Sequence, residues 1–112
     1  MAVGDRVMSV TPAGFCSRVN TPAVLTVPVP TGMTAGEASS IPLAFLTADW
    51  ALSVLADLQE GERVLIPAAA GGVGLAAVQL AHAAGAEVFA TAGSPRKHAV
   101  LRRLGVKRIY DS

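Results

Sequence analysis

Cysteine and aromatic residues are both scarce in this chain, and each scarcity limits the kinds of structure that it can form. Cys16 is the single cysteine among 112 residues, so no disulfide can form within the chain and no oxidising compartment is implied. It lies in a predicted strand, where we expect it to be buried as a small hydrophobe. Aromatic residues make up only 4% of the chain, so we expect a core packed by Ala, Val and Leu.

Targeting signals and long apolar runs are also missing. No basic-then-apolar signal peptide opens the chain, and no uninterrupted apolar run approaches the roughly 18 residues of a membrane span. We therefore expect a cytoplasmic protein without a membrane partner. The basic residues cluster near the end of the chain, but no interleaved aromatics or binding motif accompany them, so we expect no nucleic-acid partner. The cluster comprises Arg96, Lys97, Arg102, Arg103, Lys107 and Arg108.

Two compositions meet near residue 40. Residues 5–10, 15–20 and 24–29 are β-branched or apolar runs separated by turn residues, and they predict short strands. Thr34 and Glu37 have the spacing of a capping box and predict one short helical turn. Ser40 before Ile41 and Pro42 predicts the start of a second helix, which Gly61 ends. Its apolar residues at helical spacing, which we expect to form the buried face, are Leu43, Leu46, Trp50, Val54 and Leu58.

The remainder, residues 61–112, predicts a βαβαβ unit, which is half of a doubly wound parallel sheet and gives the α/β fold class. "RVLIPAAA" reads as a strand covered on both faces, and "AEVFATA" reads as a second buried strand. A helix that Gly85 closes lies between them. The next helix is predicted to have Ser94 as N-cap, Pro95 at its first position and Gly105 just past its end, before a third strand in "KRIYDS".

A glycine-rich turn joins the first strand of this unit to its first helix. Measured against G-x-G-x-x-G, the chain places Ala69, Gly71 and Gly74 at the three positions. Gly71 would let a pyrophosphate approach the backbone, Gly74 would let helix and strand pack closely, and the helix N-terminus would face the anion. Packing alone is the alternative explanation of such a turn. A Walker loop is excluded, because Leu75 and the residue after it replace Lys and Ser/Thr.

The end of the second strand bears on the cofactor. About 18 residues after Gly74, where NAD-preferring folds carry a ribose-binding acid, this chain has no acid. It has Ser94, Arg96 and Lys97 at a helix N-terminus, which suit a 2′-phosphate and favour NADP over NAD. The alternative is that the two cations only solvate a helix face.

Taken together, "AAAGGVG", "AAVQLA", "GAEVFATA" and "SPRK" resemble the enoyl-reductase domain of modular polyketide synthases. That domain belongs to the zinc-free, quinone-oxidoreductase-like branch of the medium-chain dehydrogenase/reductase superfamily. The resemblance extends upstream through "GDRVM" and "VPVPTGMTAGEASSIPLAFLTADWAL" and downstream to "IYDS". It implies a GroES-like part over residues 1–40 and the first half of an NADP-binding Rossmann domain over 41–112.

The resemblance also implies a reaction and its site. Such domains use NADPH to reduce the α,β-double bond of an enoyl thioester on an acyl carrier protein, beside neighbouring synthase domains, and a homodimer is compatible with the family. Thr47 would lie near the nicotinamide, and Ser94 and Lys97 would hold the 2′-phosphate. The family's proton donors would fall outside this chain, so no catalytic residue is assigned and we expect a fragment that is inactive alone. The residues implied to line the pyrophosphate are Ala70, Gly71, Gly72, Val73 and Gly74.

Two alternatives stay open: a non-catalytic NADP-binding module or truncated remnant, and a quinone or enone oxidoreductase. No metal is expected, because His82, His98 and Cys16 lack the spacing of metal ligands. His82 is predicted on the polar side of its helix, and His98 is predicted to face solvent beside Lys97. No serine–histidine–acid set is discernible.

Overall fold

The structure, a computed structural model, describes all 112 residues and divides into two compact units, Met1–Leu43 and Ala44–Ser112. In the first unit, strand β1 (Val7–Ser9) pairs antiparallel with strand β2 (Thr26–Pro28), which follows a 3₁₀ turn at Ala23–Leu25. The assignment of residues 1–40 and 41–112 to a GroES-like part and a cofactor domain stays a prediction.

The strand predicted at residues 15–20 is wrong. This segment is an irregular loop, because β-propensity alone does not supply a partner strand and β1 pairs only with β2. Cys16 is accordingly exposed rather than buried, and its thiol donates a hydrogen bond to the carbonyl oxygen of Ala13 at 2.8 Å.

Helix α1 (Ala35–Asp49) begins at the predicted capping box and continues into a π-helical stretch, Trp50–Leu55. The Thr34 amide donates to Glu37 Oε2 at 2.8 Å, and the Glu37 amide donates to Thr34 Oγ1 at 3.2 Å. The predicted break into two helices is wrong, because Pro42 is accommodated inside one continuous helix. By length and composition alone, Ala35–Leu55 could cross a membrane; 11% of its apolar window is buried, and Ala48 belongs to the core of the second unit.

The face of this helix that is buried differs from the predicted one. Ala48 is 2% exposed, and Ala44, Phe45 and Leu52 pack against the same core. Of the predicted positions only Leu58 packs there. Small alanines let this face approach the core closely beside Phe45 and Leu52, and four of the five predicted large side chains remain on the outer side. The exposed residues are Leu43, Leu46, Trp50 and Val54.

The second unit contains the predicted βαβαβ arrangement, with three parallel strands in the order β3-β4-β5. Gly85 (φ +77°) and Gly105 (φ +87°) follow the two helices in the left-handed conformation that glycine adopts without strain, as predicted. The elements are β3 (Arg63–Ile66), α2 (Gly72–Ala83), β4 (Glu87–Thr91), α3 (Pro95–Arg103) and β5 (Arg108–Tyr110).

One face of this sheet carries the core, and the other is open. The buried face presents Ile66, Val88 and Ala90, which join Val78 of α2 and Leu101 of α3 in one cluster. The prediction that β3 is covered on both faces is therefore wrong: Leu65 on the opposite face is 63% exposed. In complete sheets of this kind, helices on both faces account for such continuous apolar runs.

The amino-terminal end of the open face is polar. Glu87 Oε1 accepts a hydrogen bond from Arg108 Nε at 3.1 Å, and Glu87 Oε2 lies 3.7 Å from Arg63 Nε. The guanidinium of Arg108 also lies over the ring of Phe89, 5.3 Å from its centroid. The hydrogen bond to Glu87 raises the pKa of Arg108 above its ordinary value. These charged side chains make the amino-terminal end of the open face hydrophilic.

Candidate functional site

The turn between β3 and α2 presents free backbone donors at the carboxyl edge of the sheet. Gly71 is the N-cap of α2 and has extended backbone (φ −83°, ψ 173°), and no side chain caps the helix. The amides in the first turn of a helix have no partner four residues earlier in the chain. The N–H groups of Gly72, Val73 and Gly74 and the positive end of the helix dipole are therefore available to an anion.

Two glycines of this turn have little room for a side chain. A Cβ on Gly74 would lie 2.6 Å from the Ala68 carbonyl oxygen and 2.7 Å from backbone atoms of Ala69. A Cβ on Gly71 would lie 3.3 Å from the same carbonyl oxygen, whereas one on Gly72 would meet nothing within 4 Å. The close helix–strand packing expected of Gly74 is therefore present, and Ala69, at 0% exposure, fits the first small-residue position.

Thr91, at the end of β4, holds this turn and was not singled out from the sequence. The Ala68 amide donates to Thr91 Oγ1 at 3.2 Å, and the Ala69 amide donates to the Thr91 carbonyl at 2.9 Å. Ala68 has a positive φ of 49°, a conformation that costs a non-glycine residue energy and needs support from its surroundings. The pairing of β3 with β4 places Thr91 beside this turn, and that pairing cannot be read from the sequence before the fold is known.

The turn between β4 and α3 lies directly beside the first turn, since Thr91 contacts one and leads into the other. Ser94 is the N-cap of α3, as predicted, and its Oγ accepts from the Lys97 amide at 3.4 Å. Pro95 occupies the first helical position. The side chains of Arg96 and Lys97 are exposed. No acidic residue lies in the first turn of α3, so the N-terminus of this helix is basic.

His98 does not face solvent as predicted. Its side chain is 14% exposed, and its Nε2 lies 2.7 Å from the carbonyl oxygen of Ala92 and 3.4 Å from Asp111 Oδ1. The signal available in the sequence is Leu101, three residues further along α3 and completely buried, because residues three apart share one helix face. His82 is half-buried on α2, and its place on the more polar side of that helix stays a prediction.

The structure thus brings most of the predicted cofactor residues to one edge of the sheet. Ala70, Gly71, Gly72, Val73 and Gly74 form the first turn and helix start, and Ser94 and Lys97 form the second. Thr47 lies on α1 and is exposed. The binding roles of all eight residues stay predictions at this point.

No group of three or more His, Cys, Asp or Glu side chains is placed to hold a metal ion.

Comparisons with known proteins agree on the relationship of this chain. The family described as zinc-binding dehydrogenase matches residues 72–112. The chain is 50% identical over 105 residues to erythronolide synthase EryA2 of Saccharopolyspora erythraea, a match that covers 94% of this chain. Its fold matches the crystal structure of CurK enoyl reductase with a TM-score of 0.78 and 55% identity over 82% of the chain. It also matches the quinone oxidoreductase of Thermus thermophilus, solved alone and with NADPH, with a TM-score of 0.88 and 38% identity over 97% of the chain.

These relatives are longer than the chain. It spans 3% of the erythronolide synthase, 27% of the CurK enoyl reductase and 37% of the quinone oxidoreductase. The family description mentions zinc, but the residues of this chain do not fit a zinc site. The sequence motifs, the parallel βαβαβ sheet and these matches lead to one conclusion: the chain is homologous to part of the enoyl-reductase domains of polyketide synthases, which have the medium-chain dehydrogenase/reductase fold.

Proposed function

We propose that this chain is the dinucleotide-holding part of an NADPH-dependent enoyl reductase in polyketide synthesis. The complete domain would reduce the α,β-double bond of an enoyl thioester carried on an acyl carrier protein, in the cytoplasm and beside the other domains of the synthase. One observation carries the proposal: a glycine turn with free helix amides lies next to a basic helix N-terminus at the carboxyl edge of a parallel sheet.

The pyrophosphate of the cofactor would bind at the β3–α2 turn. Gly71 and Gly72 leave the backbone open to a close approach, and the first-turn amides of α2 point their hydrogens toward the anion. Gly74 supports the arrangement indirectly, because the turn could not keep this shape if a side chain separated the helix from Ala68 and Ala69. The residues present therefore fit a dinucleotide diphosphate.

The 2′-phosphate would bind at the β4–α3 turn. The Ser94 hydroxyl and the Lys97 ammonium are hydrogen-bond donors for a phosphate, and the N-terminus of α3 adds its dipole. No acidic residue in the first turn of α3 is placed to accept the 2′-hydroxyl of NAD. These features favour NADPH over NADH.

When bound, NADPH supplies a hydride for the β-carbon of the enoyl thioester. The part of this chain in that reaction is to bind and orient the cofactor, with Thr47 proposed at the nicotinamide end. We assign no proton donor for the α-carbon among these residues, and we expect the 112-residue chain alone to have little or no reductase activity. Detectable turnover of a crotonyl thioester with NADPH by the purified chain would contradict that expectation.

A fluorescence titration tests the binding proposal. We expect saturable binding of NADPH that is tighter than binding of NADH, and we expect Lys97→Ala to weaken NADPH binding about ten-fold, because a charge-assisted contact to phosphate is lost. Lys107→Ala is the matched control, because Lys107 is also exposed but precedes β5 at the opposite edge of the sheet. Equal effects of the two substitutions would argue against a 2′-phosphate site at α3.

The same titration addresses the first alternative. A non-catalytic NADP-binding module would bind NADPH with the same preference, whereas a truncated remnant would show no saturable binding. Binding alone does not separate a module from the reductase, which requires the activity of the complete domain.

The second alternative is a quinone or enone oxidoreductase, and the match to the Thermus thermophilus enzyme favours it. Its glycine turn would hold the same cofactor, so binding of NADPH does not distinguish the two. Steady-state rates of the complete domain with a quinone and with a crotonyl thioester separate them. A higher kcat/KM for the thioester supports the polyketide reaction, and a higher kcat/KM for the quinone overturns it.

A further inference from the structure

His98 forms a hydrogen bond between α3 and the end of β4 at the edge of the proposed cofactor site. It lies in the first turns of α3, immediately after Lys97, yet its side chain points back to the end of β4. Its Nε2 lies 2.7 Å from the Ala92 carbonyl oxygen. A carbonyl oxygen only accepts hydrogen bonds, so the nitrogen in this contact carries a hydrogen.

The carbonyl that His98 contacts belongs to a buried residue. Ala92 is 2% exposed, and its amide donates to the Tyr110 carbonyl at 3.0 Å, which extends the pairing of β4 with β5 by one step. His98 supplies the partner on the carbonyl side. Asp111 Oδ1 is a second neighbour of the same nitrogen at 3.4 Å, but its carboxylate is 94% exposed and the contact is longer, so the Ala92 bond is the stronger restraint.

Few residues separate Ala92, which His98 holds, from the start of α3. Only Gly93 separates Ala92 from Ser94, whose hydroxyl caps α3 at the Lys97 amide. Ala92 is held on one side by β5 and on the other by His98, so this bond restrains the direction in which the chain leaves β4. The position of the Ser94 hydroxyl depends on that direction.

We propose that His98 is a positioning residue for the 2′-phosphate of the cofactor, an inference that rests on the proposed function. It holds the β4–α3 turn to the strand end so that the Ser94 hydroxyl, the Lys97 ammonium and the N-terminus of α3 converge on one phosphate. His98 itself need not touch the nucleotide. Without its bond, the Ala92 carbonyl loses a partner and the turn can move, which weakens the recognition of the 2′-phosphate more than that of the pyrophosphate.

Two substitutions at this position test the proposal. Gln places an amide nitrogen at a similar distance along the side chain and can donate to Ala92, whereas Leu fills the space without a donor. We expect His98→Leu to weaken binding of NADP⁺ about ten-fold and to change binding of NAD⁺ far less, because a partly buried hydrogen bond beside the phosphate site is lost. His98→Gln should keep the wild-type preference for NADP⁺.

Calorimetric titration of the 112-residue chain and both variants with NADP⁺ and with NAD⁺ gives the ratio of the two dissociation constants. Thermal unfolding of each variant is measured alongside, since a purely structural role would lower stability and weaken both nucleotides equally. An unchanged ratio in His98→Leu, with wild type preferring NADP⁺, overturns the role of His98 and leaves the proposed function intact. A wild-type chain that binds neither nucleotide overturns both.

Discussion

Gly74 is the residue on which the geometry of the β3–α2 turn depends most. Any side chain there would meet the backbone of Ala68 and Ala69, and backbone atoms cannot move aside as the end of a flexible side chain can. The free amides of the turn are held in place because α2 lies this close to β3. Glycine is therefore required at position 74 for packing. The accessibility of the turn amides to an anion follows from that packing.

The first prediction concerns this contact. Gly74→Ala should destabilise the chain by roughly 1–3 kcal/mol, because the added methyl group forces α2 away from the turn. Gly72→Ala is the matched control, since its Cβ would meet nothing within 4 Å. Urea unfolding of both variants measures the difference. Equal stability of the two would show that the turn relaxes without cost and would refute the packing argument.

At the scale of elements, the start of α1 depends on a charged capping box. The carboxylate of Glu37 accepts bonds from the amide and the hydroxyl of Thr34, at 2.8 and 2.7 Å. These hydrogen bonds lower the pKa of Glu37 below its ordinary value of 4.5. A lowered pKa in the folded state means that the contribution to stability is complete above pH 4.5 and is lost as the pH falls through the folded pKa.

The second prediction follows from that sign. Between pH 6 and about pH 3, the wild type should lose helical circular dichroism that Glu37→Gln does not lose, because glutamine has no proton to gain and its amide oxygen can still accept from Thr34. The comparison cancels the titration of all other carboxyl groups. Parallel pH curves for the two proteins would contradict a role for the charge.

The sequence predicted the elements of residues 61–112 well, because their signals are local. A charged turn, a Gly-rich turn, the Ser94 cap and the glycines after α2 and α3 each specify one boundary without reference to the rest of the chain. The same holds for the capping box of α1. The two turns that form the candidate site follow from this topology, since parallel neighbours end at one edge.

The failures concern properties that depend on partners distant in the chain. The strand at residues 15–20 had suitable composition but found no partner, and Pro42 did not start a second helix but lies inside a helix that begins at Ala35. Cys16 and His98 were assigned the wrong exposure for the same reason, because burial depends on which elements pack together. The buried face of α1 was misread because Ala44, Phe45 and Ala48 contact the core, a face that the predicted spacing of large side chains did not select.

At the scale of the whole molecule, the chain exposes apolar surface that its own residues do not cover. Leu65 is 63% and Tyr110 is 51% exposed on the open face of the sheet, and Leu46 is 57% exposed on α1. In the second unit only one side of the sheet packs against helices. Uncovered apolar faces and open strand edges favour association.

The third prediction is that the isolated chain associates at micromolar concentration and above. Leu65→Thr combined with Leu46→Gln should reduce this association, because both residues are exposed and Thr retains β-propensity in the strand. Analytical ultracentrifugation measures the association, and thermal unfolding shows that the fold persists. A wild-type chain that stays monomeric, or a double variant that associates as strongly, would contradict the assignment of these faces as the cause.

The most direct test of the account is to observe which amides respond to the cofactor. Titration of the ¹⁵N-labelled chain with NADP⁺ should shift the amide resonances of Gly72, Val73 and Gly74 together with those of Ser94 and Lys97. NAD⁺ should shift the first group while leaving the second nearly unchanged. Shifts confined to other parts of the chain, or no saturable shifts at all, would show that these two turns do not hold the dinucleotide.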